Sequence, residues 1–468
     1  MYRTLTASAL FALAAPLSAL ADTSTDIQAL RQELSDLRQD YDARIRTLEQ
    51  RLLAAQSTAA LPTPPPTPPP SPPLAPPSAT ATATAAPAAS GQSGANAFNP
   101  AVSLILSGLY TRTSQDPAKY AIKGFLLPTQ GEVGPGPRGL SLTESELSLS
   151  ASIDPWWRGA TTIAMHGDNS VSVEEAFVQT TSLGNGLMVK AGRYFSGVGY
   201  LNAQHAHAWD FVDNPLAYQA LLGTQLADDG VQIKWLAPTD LFIELGAELG
   251  RGRSYPGSDS ARNGAGMVAL TAHAGGDLGI SHSWRAGVSL LNAKASELLL
   301  QGLASNGATV DSAFTGSTRV AVVDAVWKWA PQGNATRTNF KLQGEYLRST
   351  RTGMLAFDPA GINSLASHRS VSSGWYVQGI YQFMPRWRVG LRTEGLDAHR
   401  VNDGANADLF SVSASRPRKN SLMLDFNASE FSRIRLQIAQ DRSRPGAADQ
   451  QLFLQYQMSL GAHGAHGY

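Results

Sequence analysis

From Phe98 onward, the chain repeats segments of about ten residues in which apolar and polar side chains alternate. In LFLQYQMSL (452–460), for example, Leu454 and Tyr456 fall on one face of an extended strand and Gln455 on the other. Tilted strands of this length cross the hydrocarbon core of a bilayer, and a closed barrel of them leaves no backbone edge unpaired in lipid. The pattern therefore predicts an all-β transmembrane barrel.

Sixteen such segments can be assigned, an even number, which puts both ends of a closed barrel on the same side of the membrane. They fall near 101–112, 140–153, 157–166, 170–182, 186–195, 228–237, 241–250, 266–275, 282–294, 318–330, 338–349, 373–384, 387–397, 419–428, 432–441 and 450–460. Short connections mostly alternate with long ones, which are 113–139, 196–227, 251–265, 296–317, 350–372 and 398–418. A soluble β-sandwich is the alternative, but it does not explain a polar face on strand after strand.

The tryptophans give a second indication of a membrane barrel, because aromatic side chains concentrate at membrane interfaces. With these strand assignments, seven tryptophans fall at the end of the barrel that carries the short turns: Trp156, Trp157, Trp235, Trp284, Trp327, Trp329 and Trp387. Trp375 falls at the opposite end, and Trp209 in a long loop.

The chain ahead of the barrel has three parts. Residues 1–21 combine a basic start, an apolar core and a small-x-small motif, which is typical of a secretory signal peptide. Residues 22–55 carry apolar residues at spacings of three and four, which predicts a coiled-coil helix; a single amphipathic surface helix is the alternative. Residues 56–97 are rich in Pro, Ala, Ser and Thr and predict a stiff linker to the barrel domain, 98–468.

Composition narrows the function classes. The absence of cysteine excludes disulfides and thiolate metal ligands. A net charge of zero argues against nucleic acid as a partner. No GxSxG, HExxH or phosphate-binding glycine motif occurs, so the sequence predicts that the protein is not an enzyme.

Several long stretches are similar to a known family: FNPAVSLILSGLY, GLSLTESELSLSASIDP, GRYFSGVGYLNAQHAHAWDFVDNPLAYQALLG, DDGVQIKWLAPTDLFIELGAELGRG and the final SLGAHGAHGY. They resemble Gram-negative outer-membrane proteins labelled zinc-regulated TonB-dependent outer membrane receptor. The resemblance implies an envelope protein linked to metal supply. The plug domain of TonB-dependent receptors is absent from this sequence. The layout of a helix followed by a barrel is also similar to that of trimeric porins with a periplasmic coiled coil.

The connection 196–227 is the third on the long-loop side, and in general porins that loop folds into the barrel and narrows the pore. By analogy of position, the expected constriction residues are Tyr200, His205, His207, Trp209, Asp210 and Asp213. The expected pore-wall residues are Lys190, Lys341, Arg388, Arg392, Glu394, Asp425, Arg433 and Arg435. Loop acids facing wall bases would create a transverse field that selects solutes by charge and size.

Two histidine pairs are candidate metal ligands: His205 with His207, and His463 with His466. A zinc site needs three or four converging ligands, so a gate or a plain polar loop is the alternative for the first pair. The aromatic end of the chain could instead serve as a barrel assembly signal. No cofactor is expected, although zinc could be a ligand or a substrate.

The sequence thus predicts a porin-like channel for small polar or charged solutes in a Gram-negative outer membrane, with its N-terminal helix in the periplasm. Expected partners are outer-membrane lipid, two further copies in a homotrimer and the barrel assembly machinery. Peptidoglycan could be a partner as well. The alternatives are a zinc-linked uptake protein or receptor and a structural tether between outer membrane and cell wall.

Deleting residues 24–53 should weaken oligomers without abolishing the barrel, because a seam this narrow is buried only by association. Native mass spectrometry and heat-modifiable gel migration of the truncated protein measure the two properties. A truncated chain that fails to insert into membranes would show that the helix is part of the barrel fold.

Overall fold

The computed structural model describes residues 100–129, 131–143, 145–259, 263–410 and 416–461, except the side chain of Arg400. The predicted signal peptide, coiled coil and linker lie outside the described residues, and so do His463 and His466. The described residues all belong to one compact unit, which contains the barrel.

The chain forms one antiparallel sheet. Its strands are β1 (Ala101–Thr113), β2 (Leu127–Pro128), β3 (Gly139–Leu142), β4 (Ser145–Ser152), β5 (Trp157–Met165), β6 (Val171–Thr180), β7 (Leu187–Phe195), β8 (Ala227–Leu236), β9 (Phe242–Gly250), β10 (Met267–Leu278), β11 (His282–Leu303), β12 (Thr309–Trp329), β13 (Asn339–Phe357), β14 (Ser364–Met384), β15 (Trp387–Asn402), β16 (Arg418–Ser429), β17 (Ser432–Asp441) and β18 (Asp449–Gly461). The helix α1 spans Leu216–Leu222, and 3-10 helices span Pro117–Lys119, Ala206–Ala208, Pro331–Gly333 and Gly404–Leu409.

The sheet closes into a barrel. Each long strand pairs with the next along the chain, and β1 pairs with β18 from Ser103 opposite Gly461 to Thr113 opposite Gln451. β3 and β4 pair with successive parts of β1 and are two pieces of one barrel strand, whereas the two-residue β2 pairs only with the end of β11. Within the described ranges the barrel therefore has sixteen strands, which confirms the predicted number.

Polar and apolar faces are distributed as in a membrane barrel. Outward-facing leucines are largely exposed, with Leu290 and Leu391 each 60% accessible, while the inward-facing glutamines Gln343 and Gln378 are buried. An apolar outer surface of this extent is costly in water and favourable in lipid. In the part of the chain that is described, no helix is long and apolar enough to cross a membrane.

The tryptophans predicted for the short-turn end all lie there, in a turn or within three residues of a strand end. Trp375 differs from its predicted place at the opposite rim, because it lies in the middle of the 21-residue β14. The strand continues well past it.

Two of the predicted long loops are mostly strand. Pairing of β11 with β12 continues to Leu303 opposite Thr309, and pairing of β13 with β14 continues to Phe357 opposite Ser364. Only short turns remain where loops 296–317 and 350–372 were expected. The alternation of apolar and polar residues is weaker in these segments. Backbone hydrogen bonds between the paired strands nevertheless extend both hairpins beyond the apolar band of the barrel.

Residues 196–226, here called the inner loop, fold inside the barrel, as predicted. All seven residues of α1 lie in this loop and are buried, and the helix ends at Gly223 in the left-handed conformation typical of a C-terminal cap. An apolar cluster packs the loop against inward-facing wall residues that include Leu291, Val322 and Leu347. The helix was not predicted from the sequence.

Cysteine labelling tests the orientation without background, because the natural chain has no cysteine. Ala360→Cys, in the exposed turn after β13, should react with a membrane-impermeant maleimide on intact cells. Glu430→Cys, in the exposed turn between β16 and β17, should react only after the outer membrane is opened. If only Glu430→Cys were labelled on intact cells, the assigned orientation of the barrel would be wrong.

Candidate functional site

Asp213 fixes the inner loop to the wall formed by β15, β16 and β17. Its carboxylate accepts hydrogen bonds from Arg392 at 2.8 Å, from Gln437 at 2.8 Å and from the ammonium of Lys419. Arg392 also donates to the backbone carbonyl of Asp213 at 2.7 Å. Burial raises the pKa of Asp213, but the charges of Arg392 and Lys419 outweigh it and hold that pKa well below its usual range.

Asp210 makes a second set of ion pairs three residues earlier in the chain. It pairs with Lys341, lies 3.4 Å from Arg388 and accepts a hydrogen bond from Gln378 at 3.1 Å. Burial raises the pKa of Asp210, but the charges of Lys341 and Arg388 outweigh it and lower the pKa to about 2. The loop acid is therefore ionised at neutral pH.

Two further wall arginines contact the backbone of the loop. Arg435 donates to the carbonyl of Trp209 at 3.0 Å and forms a bidentate pair with Asp425 at 2.7 and 3.0 Å. Arg433 donates to the carbonyl of His207 at 2.9 Å. The wall side chains thus position the loop at both its acids and its main chain.

Glu345 and Glu394 are wall acids that anchor the loop through its own donors. Buried Glu345 accepts hydrogen bonds from the backbone N–H groups of Tyr200 and Leu201, at 3.1 and 3.0 Å, and from the hydroxyl of Tyr218 at 2.8 Å. Glu394 accepts from the first N–H of α1, at Leu216, where a helix favours negative charge. Glu394 was expected on the wall from the sequence, whereas Glu345 was not, because its loop partners lie more than a hundred residues away.

The loop histidines contact acids on the opposite wall. His207 Nδ1 lies 2.6 Å from Glu146 Oε1. His205 Nδ1 lies 3.2 Å from Glu146 and 3.1 Å from Glu174, and its Nε2 lies 3.0 Å from Glu175. Burial lowers the pKa of His205, but hydrogen bonds to these carboxylates outweigh it and raise that pKa well above its usual range.

The expected transverse field is not formed by these acids and bases. Such a field needs opposite charges separated by a water-filled gap, whereas Asp210 and Asp213 contact their basic partners directly. Tyr200 and Trp209 are also buried against the wall instead of facing open space. The six predicted constriction residues therefore lie inside the barrel, but most of them hold the loop in place.

Below the inner loop, toward the short turns, the lumen wall is strongly basic. These inward-facing basic side chains keep partial or full exposure: Arg158, Lys190, Lys234, Arg285, Lys328, Lys341, Arg388 and Arg433. The exposed or partly exposed acids on the same surface are Glu244 and Asp277, besides Glu174 and Glu175 near His205. Of the predicted wall residues, Arg392, Glu394, Asp425 and Arg435 are instead fully buried in the loop anchors.

Above α1, on the side of the long hairpins, lies a cavity of about 510 Å³. Its apolar lining includes Phe125, Leu221 and Phe410, and its polar lining includes Ser370 and Arg351. Arg351 donates to the hydroxyl of Tyr255 at 2.7 Å. The cavity thus offers the cationic Arg351 beside an aromatic and aliphatic surface, and its lining also contains the paired side chains of His368 and Asp403.

Comparison with known proteins gives no functional assignment. No family model matches the chain. An uncharacterised protein of Aquifex aeolicus (strain VF5) is 29% identical over 407 residues, which cover 80% of each chain.

Solved structures with a similar chain trace include the loop L8 deletion mutant of OmpT of Vibrio cholerae, at TM-score 0.48 and 11% identity, covering 78% of this chain and 100% of that one. The outer membrane channel DcaP of Acinetobacter baumannii has a TM-score of 0.45 at 12% identity, covering 77% and 97%. The anion-selective porin from Comamonas acidovorans has a TM-score of 0.40 at 13% identity, covering 77% and 99%.

Asp213→Asn should loosen the inner loop, because it removes the charge of the loop acid that pairs with both Arg392 and Lys419 inside the barrel. Removing one partner of a buried ion pair costs about 3 kcal/mol or more, which corresponds to roughly a hundredfold gain in loop opening. Hydrogen exchange of residues 196–226 measures this change. Asp240→Asn, in an exposed turn, is the control, and equal exchange in both variants would contradict the anchoring role.

The Asp210 anchor also predicts a pH dependence. Its folded-state pKa of about 2 lies below the value of about 3.9 expected for an unfolded chain, so its stabilising effect is complete above about pH 4. The effect is lost as pH falls through about 2. Protection factors of the amides next to Asp210, corrected for intrinsic exchange, should therefore stay constant from pH 7 to about 4. Loss of protection already near pH 5 would show that Asp210 is not held by these cations.

Proposed function

We propose that the protein is an outer-membrane channel for small polar solutes that passes anions in preference to cations. One observation carries this proposal: the excess of partly exposed basic side chains on the lumen wall below the inner loop. A lumen lined by one sign of charge, with low-dielectric walls, concentrates solutes of the opposite sign.

The inner loop neutralises only part of this basic surface. Asp210 and Asp213 neutralise bases on the β13–β17 side, and those acids are buried. Arg158, farther down the barrel, is exposed and forms no ion pair with a group in the described ranges. A solute that passes the loop therefore meets a surface dominated by positive charge.

The cavity above α1 supports an organic anion as the kind of solute. Arg351 supplies a positive charge, with its guanidinium over the rings of Tyr255 and Phe314 at 5.4 and 5.3 Å. Phe125 and Phe410 supply apolar surface. A small organic carboxylate could bind here, with its carboxylate on Arg351 and its apolar part on the phenylalanines, before it passes the inner loop.

The environment and assembly are part of the proposal. The exposed apolar outer face suits outer-membrane lipid, and insertion of such a barrel would involve the barrel assembly machinery. A homotrimer joined by the predicted helix at 22–55 remains a proposal that rests on the sequence alone. The same is true of a peptidoglycan partner and of a role as a tether.

A zinc-linked uptake protein is the second candidate. The cluster of Glu146, Glu174 and His205 favours it, because these residue types bind zinc. The receptor label has less support, since the chain's own loops fill the described barrel interior where a TonB-dependent receptor holds a plug domain.

Reversal potentials in planar bilayers test the channel proposal. Across a tenfold KCl gradient, the purified protein should give a potential of the sign expected for chloride permeation. The double variant Arg158→Glu and Lys328→Glu should lower the chloride-to-potassium permeability ratio by about threefold or more, since it reverses two charges on the lumen wall.

The control is Lys294→Glu, which reverses an exposed charge on β11 next to inward-facing Ala293 and so on the outer face. It should leave the permeability ratio unchanged. A cation-selective wild type would overturn the proposed selectivity, and a correctly folded protein without any current would favour the tether.

A further inference from the structure

Three side chains meet where the inner loop touches β4 and β6. His205 Nδ1 lies 3.2 Å from Glu146 Oε2 and 3.1 Å from Glu174 Oε2. One ligand atom from each of the three lies within 4.8 Å of the other two. Tetrahedral zinc ligands at about 2.1 Å from the metal are separated by about 3.4 Å from one another. Nδ1 thus already lies at nearly that distance from both carboxylate oxygens.

The backbone of β6 is shaped to bring its acid into this cluster. Thr162 pairs with Glu175 and Ile163 with Val173, so Glu174 is the extra residue of a β-bulge. Bulges redirect a side chain, and they are frequent beside functional sites. As a result, both Glu174 and its neighbour Glu175 reach His205, which a regular strand would not allow because successive side chains point to opposite faces.

Two more residues hold the ligands in position. Glu175 Oε2 lies 3.0 Å from His205 Nε2, the ring nitrogen that faces away from the other two acids. His207 Nδ1 lies 2.6 Å from Glu146 Oε1. A histidine that ligates a metal usually donates its other N–H to a carboxylate, and ligating carboxylates are in turn hydrogen-bonded. The cluster contains both kinds of support.

The hydrogen bonds within the cluster leave one buried oxygen unsatisfied. Glu146 is 1% accessible, and its Oε2 accepts no hydrogen bond from any group in the described ranges, although it lies 3.2 Å from His205 Nδ1. Nδ1 carries at most one proton, and Glu174 Oε2 competes for it. A buried carboxylate oxygen without a donor is costly, and a cation between the three atoms would satisfy it.

From this geometry we infer that Glu146, Glu174 and His205 form a binding site for one divalent transition-metal ion, with Zn²⁺ as the best match. The imidazole nitrogen favours zinc and similar ions over Ca²⁺ and Mg²⁺, which prefer oxygen ligands throughout. Water would complete the coordination, because His205 and Glu174 keep partial exposure. Bound metal would join the inner loop to the wall on the side opposite Asp213.

This ligand set differs from the one expected from the sequence. The His205-x-His207 pair does not act as a pair of ligands here: His205 supplies the ligand nitrogen, and His207 orients Glu146. The two glutamates come from the barrel wall, where the residue spacing carries no metal-binding motif.

Zinc titration of the purified full-length protein tests the site. After removal of metal with a chelator, the wild type should bind one Zn²⁺ per chain with micromolar or tighter affinity, measured against a chromophoric competitor. Glu174→Gln and His205→Ala should each weaken this binding at least a hundredfold. Glu175→Gln, at a residue that orients His205 without being a ligand, should weaken it about 10- to 100-fold. Heat-modifiable migration confirms that each variant is folded.

Two controls exclude other sites. Glu132→Gln removes a glutamate that lies 2.9 Å from His166 in a comparable but exposed pair, and it should leave zinc affinity unchanged. His463→Ala with His466→Ala should also leave it unchanged. Loss of binding in that double variant but not in Glu174→Gln, or no binding at micromolar zinc by the wild type, would overturn the inference. The titration requires no conduction, so its outcome is independent of the proposed channel function.

Discussion

The pairing of buried charges between the inner loop and the barrel wall determines most of the interior. Asp213 meets Arg392 and Lys419 on one side, and the histidines meet Glu146 and Glu174 on the other. Without the loop, wall groups such as Lys419 and Glu146 would lose these ion-pair partners inside the barrel, where an unpaired charge is far more costly than a paired one. The loop and the wall are therefore complementary in charge.

This complementarity also explains why the loop can approach the wall so closely. Gly199 has φ of +73°, and a Cβ at this position would lie 2.6 Å from the Tyr218 hydroxyl and closer still to Glu345 Oε2. Glycine therefore lets the next two N–H groups, at Tyr200 and Leu201, point at Glu345. A larger residue would displace the carboxylate and expose the apolar surface of α1.

The barrel could be predicted from the sequence because its signal is local. Alternation along segments such as 452–460 reports which face each strand presents, and the polar lumen makes that alternation strong. The outer ends of the β11–β12 and β13–β14 hairpins were missed because their alternation is weaker and their pairing depends on the neighbouring strand. The inner loop was placed correctly only by analogy of position.

The partners within the site could not be predicted in the same way. Asp213 and Lys419 are 206 residues apart, and Tyr218 and Glu345 are 127 apart, so no spacing rule connects them. One signal was present: Glu174 and Glu175 are adjacent acids in a strand whose residues otherwise alternate. Two charged neighbours in a half-buried strand indicate a bulge or a ligand, because one of them would otherwise face lipid.

The inner loop is held at its two walls by two different kinds of charge pairing. On the β15–β17 side, Asp213 is matched by the cations of Arg392 and Lys419, so this contact needs no further cation. On the β4–β6 side, three carboxylates face only two imidazoles, so even two protonated histidines leave an excess of negative charge within these five groups. The strength of that contact must then depend on which cation, a proton or a metal ion, occupies it. The loop is thus held by matched charges at one wall and by groups with an excess of negative charge at the other.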